Sequence, residues 1–256
     1  MEWQENSGNW VLIPSRPKAI IHFLGGAFVA TAPHVTYRWL LEILANQGYA
    51  VIATPFVNTL DHVAMAENVL SSFENCLNHL YTSRILSKKS LPIYGIGHSM
   101  GCKLHLLIGS LFSIARAGNI LISFNNFAAS DAIPLVEQIS SVVKVEFTPS
   151  PKTTNSLIQK RYRIRRNLLI KFNDDNIDQT LGLSNLLKLR FPSMVTLQRL
   201  NGNHLTPLGQ NLSWSVGQVY TPVDALGQWL KQEIYRDFNQ FKREILLWLN
   251  PLAPIS

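Results

Sequence analysis

Only two cysteines, Cys76 and Cys102, occur in 256 residues. Both fall in segments patterned as helix and at no metal-site spacing, which excludes a disulfide-stapled fold and fits a reducing compartment. No stretch approaches 18 uninterrupted apolar residues, so no transmembrane helix is expected. The first ten residues hold Glu2, Glu5 and Asn6 in place of a basic segment leading into an apolar one, which argues against a secretory leader. The expectation is a soluble, cytoplasmic protein, at most peripheral to a membrane. Glycine and proline are modest, at 14 and 13, and 46% of the chain is hydrophobic, which excludes collagen-like, low-complexity and disordered classes. Internal repeats are absent.

What is present is enough chain for one sizeable core, probed best as a single domain over residues 1–256. Acidic residues are scarce, 16 against 23 Lys and Arg, giving a net charge of +7. The surplus is local. Residues 144–171 hold Lys144, Lys152, Lys160, Arg161, Arg163, Arg165, Arg166 and Lys171 against Glu146 alone. Such a segment suits an anionic substrate, a lipid headgroup or an acidic partner, and equally a solvated face with no partner.

Hydrophobic patterning repeats strand and helix. Lys18 to Leu24 is an apolar run ending in Gly25-Gly26, Val35 to Asn46 has helical spacing, and Tyr49 to Thr54 is a second run. Asp61 to Leu80 places Val63, Ala66, Val69, Leu70, Phe73, Leu77 and Leu80 on one helical stripe. Pro92 to Gly97 predicts a strand, Met100 to Ala115 a buried helix, and Ile120 to Phe124 another strand. Continuous apolar strands alternating with helices predict an α/β fold with a mostly parallel sheet covered on both sides. The rhythm breaks over 127–166, read as a lid-like insertion with a short strand at Val142 to Phe147. It resumes with Asn167 to Phe172, a helix near Leu183 to Leu189, a strand Met194 to Leu197 and a long, bent or broken helix Val223 to Leu249.

The segment LPIYGIGHSMG puts Gly97-His98-Ser99-Met100-Gly101 between a strand and a helix, where G-x-S-x-G forms a sharp turn presenting a nucleophilic serine. By composition alone, about one chain in ten of this length carries the pattern; its context is what gives it weight. Gly97 and Gly101 leave room for the turn, and the Met100 N–H is a first-turn donor aimed where an oxyanion would form. A second donor is expected from Gly25-Gly26-Ala27-Phe28, with Ala27 preferred and Phe28 next. Gly95-Ile96-Gly97 fits dinucleotide binding poorly, because the third glycine is one position late and no acidic residue follows about twenty positions on.

A serine needs a base and a group to orient it. Of seven histidines, His204 in LNGNHLTP follows the last core strand in a polar turn at the same sheet edge. The acid is expected after Leu168 to Phe172, where Asp175 ranks first, Asp178 second and Asp174 third, with Asp131 a separate possibility. The calcium-loop spacing is missing from this cluster, and no metal or cofactor is required.

The order Ser99, Asp175, His204 resembles the α/β-hydrolase superfamily over nearly the whole chain, and that resemblance implies a central sheet of about six to eight strands. It also implies Ser99 as nucleophile, His204 as base, Met100 N–H as oxyanion donor, and a lid after the sixth strand. The segments IHFLGGAFVATAP, YGIGHSMGCKLH, FTPSP and NLLIKFNDDNIDQT look more narrowly like an uncharacterised branch of cyanobacteria and plant plastids. The resemblance departs at Asn173 and Asp178, around the expected acid.

Two function classes remain open on sequence. One is a serine hydrolase of carboxylic esters or thioesters, of esterase, lipase or thioesterase type, acting on a small acyl substrate. In it Lys160, Arg161, Arg163, Arg165 and Arg166 meet an anionic group while Leu157, Ile158, Tyr162 and Ile164 touch acyl chain. The other is a weakly catalytic binding or assembly protein on the same scaffold, using the basic insertion against an acidic protein or membrane surface. Nucleic acid is disfavoured, since the cluster has one aromatic residue and no recognised module.

Overall fold

The computed structural model describes residues 1–27, 29–87, 90–128, 146–208 and 222–250, with the backbone alone for 222–234. Eight strands form one sheet in the order β1-β2-β4-β3-β5-β6-β7-β8. The strands β3 (Ala19–Leu24), β4 (Tyr49–Ala53), β5 (Ile93–His98), β6 (Gly118–Ile122), β7 (Asn167–Phe172) and β8 (Val195–Leu200) all pair in parallel. An antiparallel hairpin, β1 (Gln4–Asn6) and β2 (Asn9–Leu12), extends the sheet beyond β4. Sequence patterning misses this hairpin because its strands are three and four residues long. Its turn is set by Ser7 and Gly8, both at positive φ, 50° and 75°, which matches the twist of a tight two-residue connection.

Helices cover both faces. Leu40, Leu41 and Leu44 of α2 (Arg38–Asn46) join Phe238, Phe241 and Ile245 of α7 (Pro222–Leu249) in one core cluster. Its sheet side is formed by Ile21, Phe23, Ile96 and Ile120. The short α1 (Pro33–Thr36) leads into α2. The opposite face carries α3 (His62–Thr82), α4 (Met100–Leu111), α5 (Pro151–Arg161) and α6 (Thr180–Arg190). The α3 start is fixed by Asp61, whose carboxylate accepts from the Val63 and Ala64 N–H groups. At the centre lies α4, buried at every position from Met100 to Ser110, as the apolar run requires.

The structure differs from the sequence reading in two places. Residue 147 belongs to no strand; Phe147 is buried against the His62 ring at 4.4 Å, and the neighbouring Thr148 pairs with Asp61. Positions 142–145 lie outside the described residues. The long C-terminal helix runs from Pro222 to Leu249 as one element, without the expected break. Residues 146–166, within the expected insertion, pack on the body. Thr154 and Ile158 of α5 are buried, and Tyr162 and Ile164 pack so closely on α4 that a Cβ at Gly109 would stand 2.7 Å from the Tyr162 ring.

Candidate active site

In a parallel sheet, the loops leaving the carboxyl ends of the strands converge at one edge. Here that edge receives the ends of β3, β5, β6, β7 and β8. Ser99 follows β5 directly and adopts φ 54°, ψ −115°, a strained conformation that β-carbon sterics disfavour. Its N–H donates to Ile122 O at 2.9 Å, and Gly101 N–H donates to Gly25 O at 3.0 Å, so both neighbouring strand ends hold the turn. A Cβ at Gly101 would lie 2.1 Å from Leu24 O, and one at Gly97 would lie 2.6 Å from the Gly101 carbonyl. Glycine at both positions is therefore a steric requirement.

His204, in the turn after β8, places Nδ1 2.8 Å from Asp175 Oδ2. Burial pushes the Asp175 carboxyl upward, but the His204 hydrogen bond and charge, together with the Ile177 N–H, outweigh it and hold the group below the usual carboxylate range. Asp175 is thus an anion that accepts the hydrogen bond from His204 Nδ1–H, which leaves Nε2 of the neutral ring as the acceptor. The His204 ring lies 4.8 Å, centroid to centroid, from the ring of His98, the residue next to Ser99.

The other expected acids are placed differently. Asp178 accepts from the Thr180 N–H at the start of α6 and faces Lys171 Nζ at 3.8 Å. Burial raises its pKa. Asp174 is exposed. Asp131 lies outside the described residues, as does Phe28, the second oxyanion candidate. Ala27, the first candidate, sits in the turn after β3, and a Cβ on the adjoining Gly26 would approach the Ser99 Cβ to 3.5 Å. Met100 is the first residue of α4, so its N–H has no acceptor within the helix.

Two residues at this edge escape sequence reasoning. Asn125 donates from Nδ2 to Ser99 Oγ at 2.9 Å. The available signal was position alone, since it follows β6 at the carboxyl edge. Tyr37, ahead of α2 and fully buried, accepts from the Gly26 N–H at 2.8 Å and lies 2.8 Å from His98 Nδ1. Its own proton is therefore available to His98 Nδ1. Burial, with the nearby His204, lowers the His98 pKa to about 3, so the ring is neutral and carries its proton on Nε2. No sequence pattern announces Tyr37, which joins the β3 turn to the serine turn across 61 residues.

The basic segment does not gather here. Arg163 N–H donates to Gly109 O, which is ten residues along α4 from Ser99, about 15 Å of helix. Lys160, Arg161, Arg163 and Arg165 are exposed near the start of β7, at the opposite edge of the sheet. Arg166 stacks on Trp248 at 3.8 Å and donates to the Trp248 carbonyl. The expected contact between these cations and a substrate on Ser99 is corrected by that separation, since Tyr162 and Ile164 pack inward and turn the arginines outward. Among the described residues no group of histidines, cysteines and carboxylates could hold a metal ion.

A family model described as a protein of unknown function, DUF1350, matches residues 2–251. The chain belongs to the DUF1350 family. No curated protein matches this DUF1350 chain in sequence. Among solved structures it is similar to the esterase Est2 of the Planctomycetes species Thermogutta terrifontis, in its butyrate-bound form. That match has 16% identity and a TM-score of 0.59, covering 97% of this chain and 91% of that one. It is also similar to FphF, a fluorophosphonate-binding serine hydrolase of Staphylococcus aureus, with 15% identity, TM-score 0.56 and coverage of 88% and 91%. A third likeness is to the thioesterase domain from the curacin biosynthetic pathway, at 13% identity, TM-score 0.52 and coverage of 92% and 98%. These likenesses establish the α/β-hydrolase fold for the DUF1350 chain.

Proposed function

We propose that this protein is a serine acyl hydrolase cleaving a carboxylic ester or thioester through an acyl-enzyme. The observation that carries the reading is the His204 Nδ1 to Asp175 Oδ2 bond at 2.8 Å, at the sheet edge where Ser99 is held at positive φ on a strand-to-helix turn. His204 Nε2 takes the Ser99 proton as Oγ bonds to the substrate carbonyl carbon. Met100 and Ala27 N–H groups stabilise the tetrahedral oxyanion. As the intermediate collapses, His204 returns the proton to the departing alcohol or thiol. Water, deprotonated by His204, then attacks the acyl carbon, and the acyl–Oγ bond breaks as His204 returns the proton to Ser99 Oγ, releasing the carboxylic acid. Asp175 stays ionised throughout and stabilises the imidazolium.

Asn125 belongs to this chemistry as a positioning group, because a donor at 2.9 Å fixes the Oγ rotamer before substrate arrives. The structural neighbours include an esterase and a thioesterase domain, and this supports the reaction class without selecting the acyl chain or leaving group. The likeness of several segments to a cyanobacterial and plastid branch makes photosynthetic organisms the place to seek the natural substrate.

The test is turnover of a short acyl ester and an acyl thioester, with phosphonate labelling, by the wild type and Ser99→Ala. Loss of both turnover and labelling in a folded Ser99→Ala protein is the expected result. Retained turnover in that variant overturns the proposal. A folded wild type that neither labels nor turns over any substrate in the panel favours a binding protein on this scaffold.

A further inference from the structure

The two edges of the sheet differ in charge. At the amino edge, the segments entering β3, β5, β7 and β8 expose Lys18, Arg84, Arg163, Arg165 and Lys188. None of the five forms an ion pair with a described carboxylate. Between Glu146 and Asp174 the sequence contains no acidic residue at all. Large apolar side chains stand exposed at the same edge: Leu189 at 79%, Ile85 at 46% and Met194 at 39%. Arg190 donates to the Tyr162 and Gln159 carbonyls, so the end of α6, with Lys188 and Leu189, is held beside the arginine row.

The arginine row is ordered by packing. Tyr162 and Ile164 are buried while Arg161, Arg163 and Arg165 alternate with them and are exposed. Arg161 closes α5, and beyond it the alternation of Arg163 and Arg165 with buried Tyr162 and Ile164 sets those two cations about 6.5 Å apart on one side. A row of unpaired guanidinium groups beside protruding apolar side chains is the pairing that an anionic bilayer rewards, since headgroup phosphates take the charges and the interfacial region takes the apolar tips.

We infer that the amino edge of the sheet is a docking surface for an anionic phospholipid membrane, with Arg163, Arg165 and Leu189 at its centre. Docking in this way turns the Ser99 edge toward water. It follows that any substrate reaches Ser99 from solution. The inference does not depend on catalysis and stands or falls separately from the hydrolase reading.

The test is flotation of the full chain with vesicles of equal phosphatidylglycerol and phosphatidylcholine, and with phosphatidylcholine alone. Binding to the anionic vesicles at low salt is expected, with its loss on neutral vesicles and above about 0.5 M salt, where the Debye length shrinks to a few Å. Arg163→Glu with Arg165→Glu should weaken binding on the order of 100-fold, with unchanged urea stability. Leu189→Ala should weaken it several-fold. A fluorophore on Leu189→Cys should report an apolar environment on vesicle binding, while one on Asp174→Cys, at the opposite edge, should not. Equal binding to neutral vesicles, binding unaffected by the double reversal, or an Asp174 label that responds like the Leu189 label would overturn the inference. So would binding to polyglutamate with none to vesicles, which would assign the surface to an acidic protein.

Discussion

Acidification from pH 7 to 5.5 should destabilise this protein by about 5 kcal/mol, through four histidines that the fold keeps neutral. Burial, with the Lys103 charge, lowers the His62 pKa to about 4, against a weaker pull from Asp61. Burial, with Arg116, lowers His105 to about 3, and His98 is lowered to about 3 by burial and His204. His22 is likewise lowered, by burial first and then by Arg116, whose Nη2 lies 3.0 Å from its Nδ1. Each group titrates near 6.5 when unfolded, so below that pH the unfolded chain binds protons that the folded chain refuses. The stabilisation is complete above about pH 7 and is lost as pH falls, until the folded values, near 3 to 4 for His62, His98 and His105, are reached. One unit below 6.5, each histidine costs about 1.4 kcal/mol, and four together approach the whole stability of an ordinary domain. Asp178, whose pKa is raised, opposes this as it takes a proton in the folded state. Urea unfolding followed by circular dichroism at pH 7.0, 6.0 and 5.5 measures the effect, with the midpoint expected to fall by about 2 M. His62→Gln should remove about 1.4 kcal/mol per pH unit from the slope. A midpoint moving by less than about 0.3 M over this range would refute the assignment of these rings as neutral.

Other substitutions probe the site itself. Asn125→Ala removes the donor to Ser99 Oγ and should lower kcat about tenfold in steady-state ester hydrolysis, with KM little changed. Tyr37→Phe leaves the Gly26 N–H and His98 Nδ1 without their shared partner, and should cost about 1–3 kcal/mol in urea unfolding while slowing acylation. Gly101→Ala forces a Cβ toward Leu24 O and should cost about 3 kcal/mol or more, visible as a lowered melting temperature. Asp175→Asn should lower kcat on the order of 10³-fold, whereas Asp178→Asn should change it less than about tenfold, a contrast that kinetics of the two variants decides.

The parallel sheet and the placement of Ser99, Asp175 and His204 at one of its edges were legible because each strand is an apolar run and each of the three follows one. Asn167–Phe172 illustrates this: six residues with five fully buried need no tertiary information to be read as a strand. The β1–β2 hairpin was not legible, since three- and four-residue strands carry too short an alternation. Asn125 and Tyr37 act through contacts spanning 26 and 61 residues, and such distances leave no local pattern. The basic segment misled for a related reason. Its proximity in sequence to the expected lid said nothing of Tyr162, whose hydroxyl is held by Asn119 and Asn167 and which turns the arginines away from the site.

Helix dipoles supply one reason for cations to collect at the amino edge of the sheet. The helices of a parallel α/β fold end there, and Lys160, Arg161, Lys188 and Arg190 occupy the last turns of α5 and α6, where a positive charge is worth about 0.3–1 kcal/mol. That account does not extend to Arg163 and Arg165, which lie beyond the end of α5, nor to Leu189, an apolar side chain that is 79% exposed. Residues placed for stability should lower it when reversed. Arg163 and Arg165 are the pair for which the dipole explanation requires no loss and the docking explanation requires a large loss of vesicle binding. Six residues of β7, about 20 Å, separate this pair from Asp175, so its reversal should leave the His204 bond and ester turnover intact.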